Sequence, residues 1–236
     1  MAPRVDGARP AAPAARRHAG RQGSSDATPE LTERSRDRIL SAALTEFANR
    51  GFDGTTTAEI ARRAGVTQPL VHYHFDSKDS LWYATVTAAF DAAGATSLSD
   101  LAAQLVGLEL IDQLKVLMRG YVRFCAANPD LARIVSYESV QGGPRLAWLA
   151  ARHAESRYDL FDQLVEQAVE DGLLKDLPRQ HVLTSVSAAG AYLFIIRAAM
   201  LECHGIDTTD PDVIEAHADT VVELMFHGLV REGVAP

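Results

Sequence analysis

From about Pro29 onward, apolar residues recur every three or four positions, the spacing that lines one face of an α-helix. Ile39, Leu40, Ala43, Leu44 and Phe47 form the first such face, and Gly51 closes it. In the stretch TTTAEIARRAG that follows, Thr56 and Glu59 have the spacing of a capping box, and Ile60, Ala61 and Ala64 are the apolar face. Gly65 then suits the left-handed position that ends a helix. Thr67 is expected to cap a second short helix, with Pro69 in its first turn, where amides have no intrahelical partner. Two short helices joined by Gly65–Val66–Thr67 predict a helix-turn-helix.

Beyond Lys78 the helical pattern lengthens. Helices are expected at roughly 78–94, 100–127, 130–139, 144–172, 179–204 and 211–231, with breaks at Asn128–Pro129, Gly142–Gly143–Pro144, Pro178 and the run GIDTTDP. No segment alternates as a strand would, and nothing repeats. The predicted fold is all-α. A leader over 1–28 precedes a three-helix helix-turn-helix domain over 29–78, and a larger helical domain occupies 79–236. The leader is Ala-, Pro-, Arg- and Gly-rich and too poor in large apolar side chains to offset chain entropy, so it is expected to be disordered. Arg16, Arg17 and Arg21 read either as a basic arm touching DNA or as part of a solvated leader.

Composition changes this picture in two places. Hydrophobic residues make up 47% and charged residues 23%, ordinary for a globular chain with a full core. No run of about 18 apolar residues is present. Together with widely separated Cys125 and Cys203, both expected to pack as small hydrophobes, this predicts a cytoplasmic protein without a membrane partner. The net charge of −8 is unevenly placed. Residues 1–80 hold 12 Lys+Arg against 10 Asp+Glu, while residues 81–236 hold 11 against 21. Such asymmetry is expected where one segment meets DNA and the other does not.

Chemistry concentrates in AGVTQPLVHYHFDSKDSLW, residues 64–82. On a helix over 68–74, Gln68, Pro69, His72 and Tyr73 cluster at the exposed side and N-terminal end, while Val71 and Phe75 turn inward toward Ile60 and Phe47. Amide and imidazole groups read base edges in a major groove, and hydroxyls and backbone amides hold phosphates. Lys78, one residue after the capping Ser77, opposes the dipole of its helix unless a phosphate lies there.

The segment RDRILSAALTEFANRGFDGTTTAEIARRAGVTQPLVHYHFDSKDSLW, residues 36–82, resembles the TetR family of bacterial transcription regulators. The marks are the run IL.AA...F...GF..TT...IA..AGV, the aromatic YHF, and the SK that enters the next helix. The resemblance implies an N-terminal DNA-binding domain and a C-terminal domain for ligand binding and dimerisation. It implies a phosphate contact at Thr57 and DNA contacts at Thr67, Gln68, Pro69, Leu70, His72 and His74. Tyr73 and Lys78 match phosphate-holding positions. His72 departs from the family, which more often has tyrosine there. Arg62 and Arg63 read either as further phosphate contacts or as a solvated helix face.

In the C-terminal part, helical spacing selects Leu117, Met118, Tyr121, Tyr137, Phe161 and Tyr192 as the lining of a mainly apolar cavity for a small, mostly hydrophobic effector. Arg197 interrupts the apolar run AYLFIIRAAM. Its charge is expected to meet a carboxylate across a dimer interface, anchor an acidic ligand, or snorkel outward. The last two helices present Leu193, Ile196 and Met200, then Val213, Val221, Leu224 and Met225, as faces suited to a two-fold four-helix bundle.

The expected function is therefore a ligand-responsive repressor that binds a partly palindromic double-stranded operator as a homodimer. Two other classes compete: a helical small-molecule-binding protein or enzyme whose DNA-binding domain is incidental, and a non-specific DNA-organising protein. No zinc-type His spacing, nucleophile elbow, phosphate loop or dinucleotide fingerprint is present, so neither catalysis, a metal nor a cofactor is expected.

Overall fold

The computed structural model describes residues 29–95, 104–151, 155–231 and 233. Eleven helices are named among them. The first four are α1 (Pro29–Arg50), α2 (Thr57–Ala64), α3 (Gln68–His74) and α4 (Lys78–Ala95). They are followed by α5 (Leu110–Ala127), α6 (Pro129–Gln141), α7 (Pro144–Leu149) and α8 (Glu155–Glu170). The last three are α9 (Arg179–Ile195), α10 (Arg197–His204) and α11 (Pro211–Leu229). Between described residues the only β-type pairing is an isolated antiparallel bridge, Leu174 to Val230, so the chain is all-α as expected.

Proline sets several starts. Pro69, Pro129, Pro144 and Pro211 all stand in first turns, where the missing N–H costs no intrahelical bond. Two long helices expected from periodicity are shorter. The one expected over 100–127 is interrupted: residues 104–105 are helical, a turn with Gly107 at φ 80° follows, and α5 starts at Leu110. The one expected over 179–204 breaks at Ile196 (φ −95°, ψ 24°), and its halves α9 and α10 diverge by 63°. No single helix among the described residues is long and apolar enough to cross a membrane. The bent α9–α10 pair passes on length and composition only, and Val186, Ala191 and Phe194 of α9 are buried in the core.

Two hydrophobic clusters hold the molecule together. The first packs Ile39, Phe47, Ile60, Val71, Phe75 and Trp82 of α1–α4 with Leu131 and Ile134 of α6 and Leu149 of α7. It therefore runs past the division expected near residue 78. The second joins α5, α8, α9 and α11 through Leu114, Met118, Val122, Ala168, Phe194 and Phe226. Phe124 packs against both clusters. Where α5 crosses α9, Gly190 lets the Tyr121 ring in: a Cβ there would lie 2.7 Å from it. Cys125 is buried as expected, but Cys203 is exposed on α10, a helix with no buried residue. The leader over 1–28, with its arginines, lies outside the described residues.

Candidate nucleic-acid interface

Local chemistry builds the two-helix unit. Thr56 Oγ1 accepts from the Glu59 amide at 3.2 Å, and Glu59 Oε2 accepts from the Thr56 amide at 3.1 Å, completing the capping box. The Thr56 hydroxyl, donating to the same carboxylate oxygen at 2.8 Å, then the Thr56 amide and Arg50, hold the Glu59 carboxyl below its ordinary range. Gly65 sits at φ 64°, and the Val66 amide reaches back to the Ala61 carbonyl at 3.0 Å. Arg38 of α1 donates to the Ala64 and Gly65 carbonyls and fixes the turn from behind. A side chain at residue 65 would meet both a strained backbone and this guanidinium, 2.6 Å from its Cβ. Thr67 has the extended backbone of a cap, but its hydroxyl makes no capping bond, contrary to expectation.

The exposed face of α3 carries a short polar chain. Gln68 Nε2 donates to Thr57 Oγ1 at 3.1 Å and lies 3.5 Å from His72 Nε2. The start of α2 and two successive turns of α3 are thereby joined. Thr67, Pro69, His72 and Tyr73 are exposed, Tyr73 at 73%, while Leu70 is half-buried. Val71 and Phe75 point the other way and are buried, as the helical phase required.

Two members of the expected contact set are committed inward. His74 Nε2 lies 2.8 Å from Ser35 Oγ, and that hydroxyl donates to the Thr32 carbonyl at 2.7 Å. The Nε2 of His74 is therefore engaged with Ser35 inside the domain. Burial first, then nearby Arg36, lowers its pKa below the ordinary 6.5, so it is neutral near pH 7. Lys78 Nζ donates to the carbonyls of Phe52 at 3.0 Å and Thr55 at 3.1 Å, and sits 4.2 Å from the Phe52 ring centroid. The cation at that helix start is offset by two loop carbonyls and an aromatic face; a phosphate is not required to explain it. Arg63 is likewise engaged, 2.6 Å from the buried carboxylate of Glu46.

A second concave region lies in the other half of the molecule. A cavity of about 320 Å³ opens between α5, α8, α9 and α11, floored by Leu114, Met118, Phe161, Val165, Val182 and Phe226. Of the expected lining, Met118 and Phe161 are on its wall. Leu117 is half-buried elsewhere, and Tyr121 donates to the Ser187 carbonyl at 3.3 Å. Tyr137 instead packs against Gly51 in the α1–α2 loop, and Tyr192 is 60% exposed. Val165, Val182 and Phe226 were missed because periodicity gives a face, not the neighbour it meets. Arg197, with its side chain 40% exposed, pairs at 3.5 Å with Asp130 of α6 in the same chain.

Comparison with known proteins agrees with this arrangement at both ends. The sequence model described as "Bacterial regulatory proteins, tetR family" matches residues 39–85. That described as "Tetracyclin repressor-like, C-terminal domain" matches residues 111–225. The two together span more than half of the chain. The negative transcriptional regulator of the biofilm operon, IcaR of Staphylococcus aureus, is 39% identical over 56 residues, covering 24% of this chain and 30% of that protein. This chain thus aligns with less than a third of that relative's length. The HTH-type transcriptional regulator RutR of Escherichia coli O157:H7 is 29% identical over 151 residues, 64% of this chain and 69% of that one. Among solved structures, a TetR family transcription regulator from Marinobacter aquaeolei VT8 shares the fold with a TM-score of 0.62 at 20% identity, covering 87% of this chain and 100% of its own. With a capped helix-turn-helix at one end, a helical domain at the other and both family models in register with them, the chain belongs to the TetR family of DNA-binding transcription regulators.

Proposed function

We propose that this regulator is a cytoplasmic repressor that binds a partly palindromic operator as a homodimer and leaves it when a small, mostly hydrophobic molecule fills the cavity. The observation that carries the reading is the exposed chain Thr57–Gln68–His72 on α2 and α3. Its amide and imidazole have little else to bond within the molecule, and a major groove offers them base edges. Tyr73 and Thr57 serve phosphates, with Thr67, Pro69 and Leu70 fitting the backbone into the groove. His74 and Lys78 contribute mainly by holding α3 and the α1–α2 loop in place.

Exposed Tyr192, Leu201 and Leu224 on α9–α11 support a two-fold interface on that side, since large apolar side chains left in water favour a partner. Leu193 packs partly within its own chain, which makes Leu224 the cleaner probe of that interface. Coupling to the cavity runs through the junction where Phe52 meets Lys78 of α4 and Arg145 of α7. The effector must favour a conformation in which the two α3 helices no longer match the groove spacing, because equal affinity for both forms shifts nothing.

Retardation of a duplex from the protein's own promoter, against scrambled DNA of equal length, tests the central claim. Stronger binding to the promoter is expected, with loss of the difference in Gln68→Ala. Equal binding to both duplexes would return the non-specific DNA-organising reading.

A further inference from the structure

The cavity between α5, α8, α9 and α11 is apolar at its floor and acidic at its mouth. Asp162, Glu166 and Glu170 succeed one another at four-residue steps along α8, and Asp176 faces them from the loop that follows. Two cations also border the opening. Lys175 donates its ammonium to the Gly228 carbonyl at 2.8 Å, and Arg179 is engaged with Asp162 Oδ2. The other oxygen, Asp162 Oδ1, is buried and has no hydrogen-bond donor. A buried carboxylate oxygen left without a donor is costly, and it is the kind of group that a bound N–H satisfies.

We infer that the molecule this cavity takes is a protonated organic amine with an apolar body. Its tail lies on Met118, Phe161, Val165 and Phe226, and its ammonium donates to Asp162 Oδ1. Three further carboxylates at the rim favour a cation and repel a fatty carboxylate of the same size. A neutral alcohol could donate to Asp162 but would gain nothing from the rim. A hydrated metal ion does not fit an apolar floor, and among the described residues no His, Cys, Asp and Glu cluster is arranged to hold one. This inference rests on the reading of the cavity as the effector site and narrows the class of effector.

The test uses three probes that share one tail: nonylamine, nonanol and nonanoic acid, each titrated calorimetrically into the full chain at neutral pH. The amine is expected to bind at least tenfold tighter than the alcohol, and the acid weakest. In Asp162→Asn the advantage of amine over alcohol should fall severalfold, to the part that the rim carboxylates supply, while alcohol binding stays. Arg179→Gln, which leaves the carboxylate in place and unshields it, should keep or enlarge the advantage. An alcohol or acid that matches the amine, or an Asp162→Asn variant whose preference for the amine is undiminished, overturns the inference and leaves the cavity as a site for other hydrophobic molecules. Failure of all three to bind overturns both readings. An amine that binds tightly yet leaves operator affinity unchanged supports the cavity chemistry and overturns its regulatory role.

Discussion

The outer face of α3 and the junction around Phe52 are built from similar groups and use them in opposite ways. On α3, the Gln68 and His72 side chains hydrogen-bond, among the described residues, to Thr57 and to each other, and are exposed to water. At the junction, the Phe52 ring lies between two cations, Lys78 Nζ at 4.2 Å and the Arg145 guanidinium at 4.0 Å. Lys78 also bonds two carbonyls, and Arg145 Nε is 3.0 Å from both oxygens of Glu138, whose carboxylate is buried. Polar groups saturated from within set the shape of the protein; polar groups with bonding capacity to spare are left available to a partner. The difference explains why a list of polar residues near a helix-turn-helix is not yet a list of contacts.

The strongest way to break this distinction is to empty the junction. Glu138→Ala leaves Arg145 half-enclosed without its carboxylate and should cost about 3–5 kcal/mol, the usual scale for halving a buried ion pair. Chemical denaturation should register it. A loss under 1 kcal/mol would mean the junction is not saturated as described. On the other side, His72→Ala should leave folding intact and lose about 1–3 kcal/mol of discrimination at one or two base positions. Lys78→Ala should weaken binding to all sequences alike while lowering stability, because it frees the Phe52 and Thr55 carbonyls. Binding curves against single-base operator variants separate the two. A Lys78→Ala protein with altered base preference and unchanged stability would reverse the assignment.

Smaller effects sharpen the comparison. Gly65→Ala places a side chain at φ 64° beside Arg38 and should destabilise by about 1–2 kcal/mol, measured by thermal melting. The mildest effect is on pH. Burial lowers the pKa of both His74 and His217 below the ordinary 6.5, although the Ala189 carbonyl partly opposes this at His217. The folded state therefore binds fewer protons than the unfolded one as pH falls below about 6.5. Stability should decline through that window, before Glu59 and Glu215, whose pKa values are lowered by their hydrogen bonds, begin to titrate. His217→Gln should make the decline shallower; an unchanged slope would remove His217 from the account.

What could be read from the sequence was local. The capping box of Thr56 and Glu59, the left-handed Gly65 and the inward Val71 all depend on residues within a few positions of one another. The outward placement of Gln68 and His72 follows from the same helical phase. The partners that other side chains find inside the chain required distance. Tyr137 has the spacing of a cavity residue but meets Gly51, more than eighty positions away in the chain. Lys78 is answered by carbonyls of a loop that carries no mark of them in its side chains. Arg197 finds Asp130 because the helix breaks at Ile196, a position with neither glycine nor proline to announce it. Periodicity tells which side of a helix is apolar; which other helix lies against that side is a property of the whole chain.

The first hydrophobic cluster bears on how such proteins can be recombined. Trp82, Leu131, Ile134 and Leu149 lie beyond the helix-turn-helix in sequence yet close its interior. A chimera joined at residue 78 would graft a reading head whose floor belongs to the donor left behind. A transplant that keeps its native shape has to carry α4, α6 and α7 with it, or bring replacements of matching volume at those positions. Modularity in this molecule follows the packing and not the order of the chain.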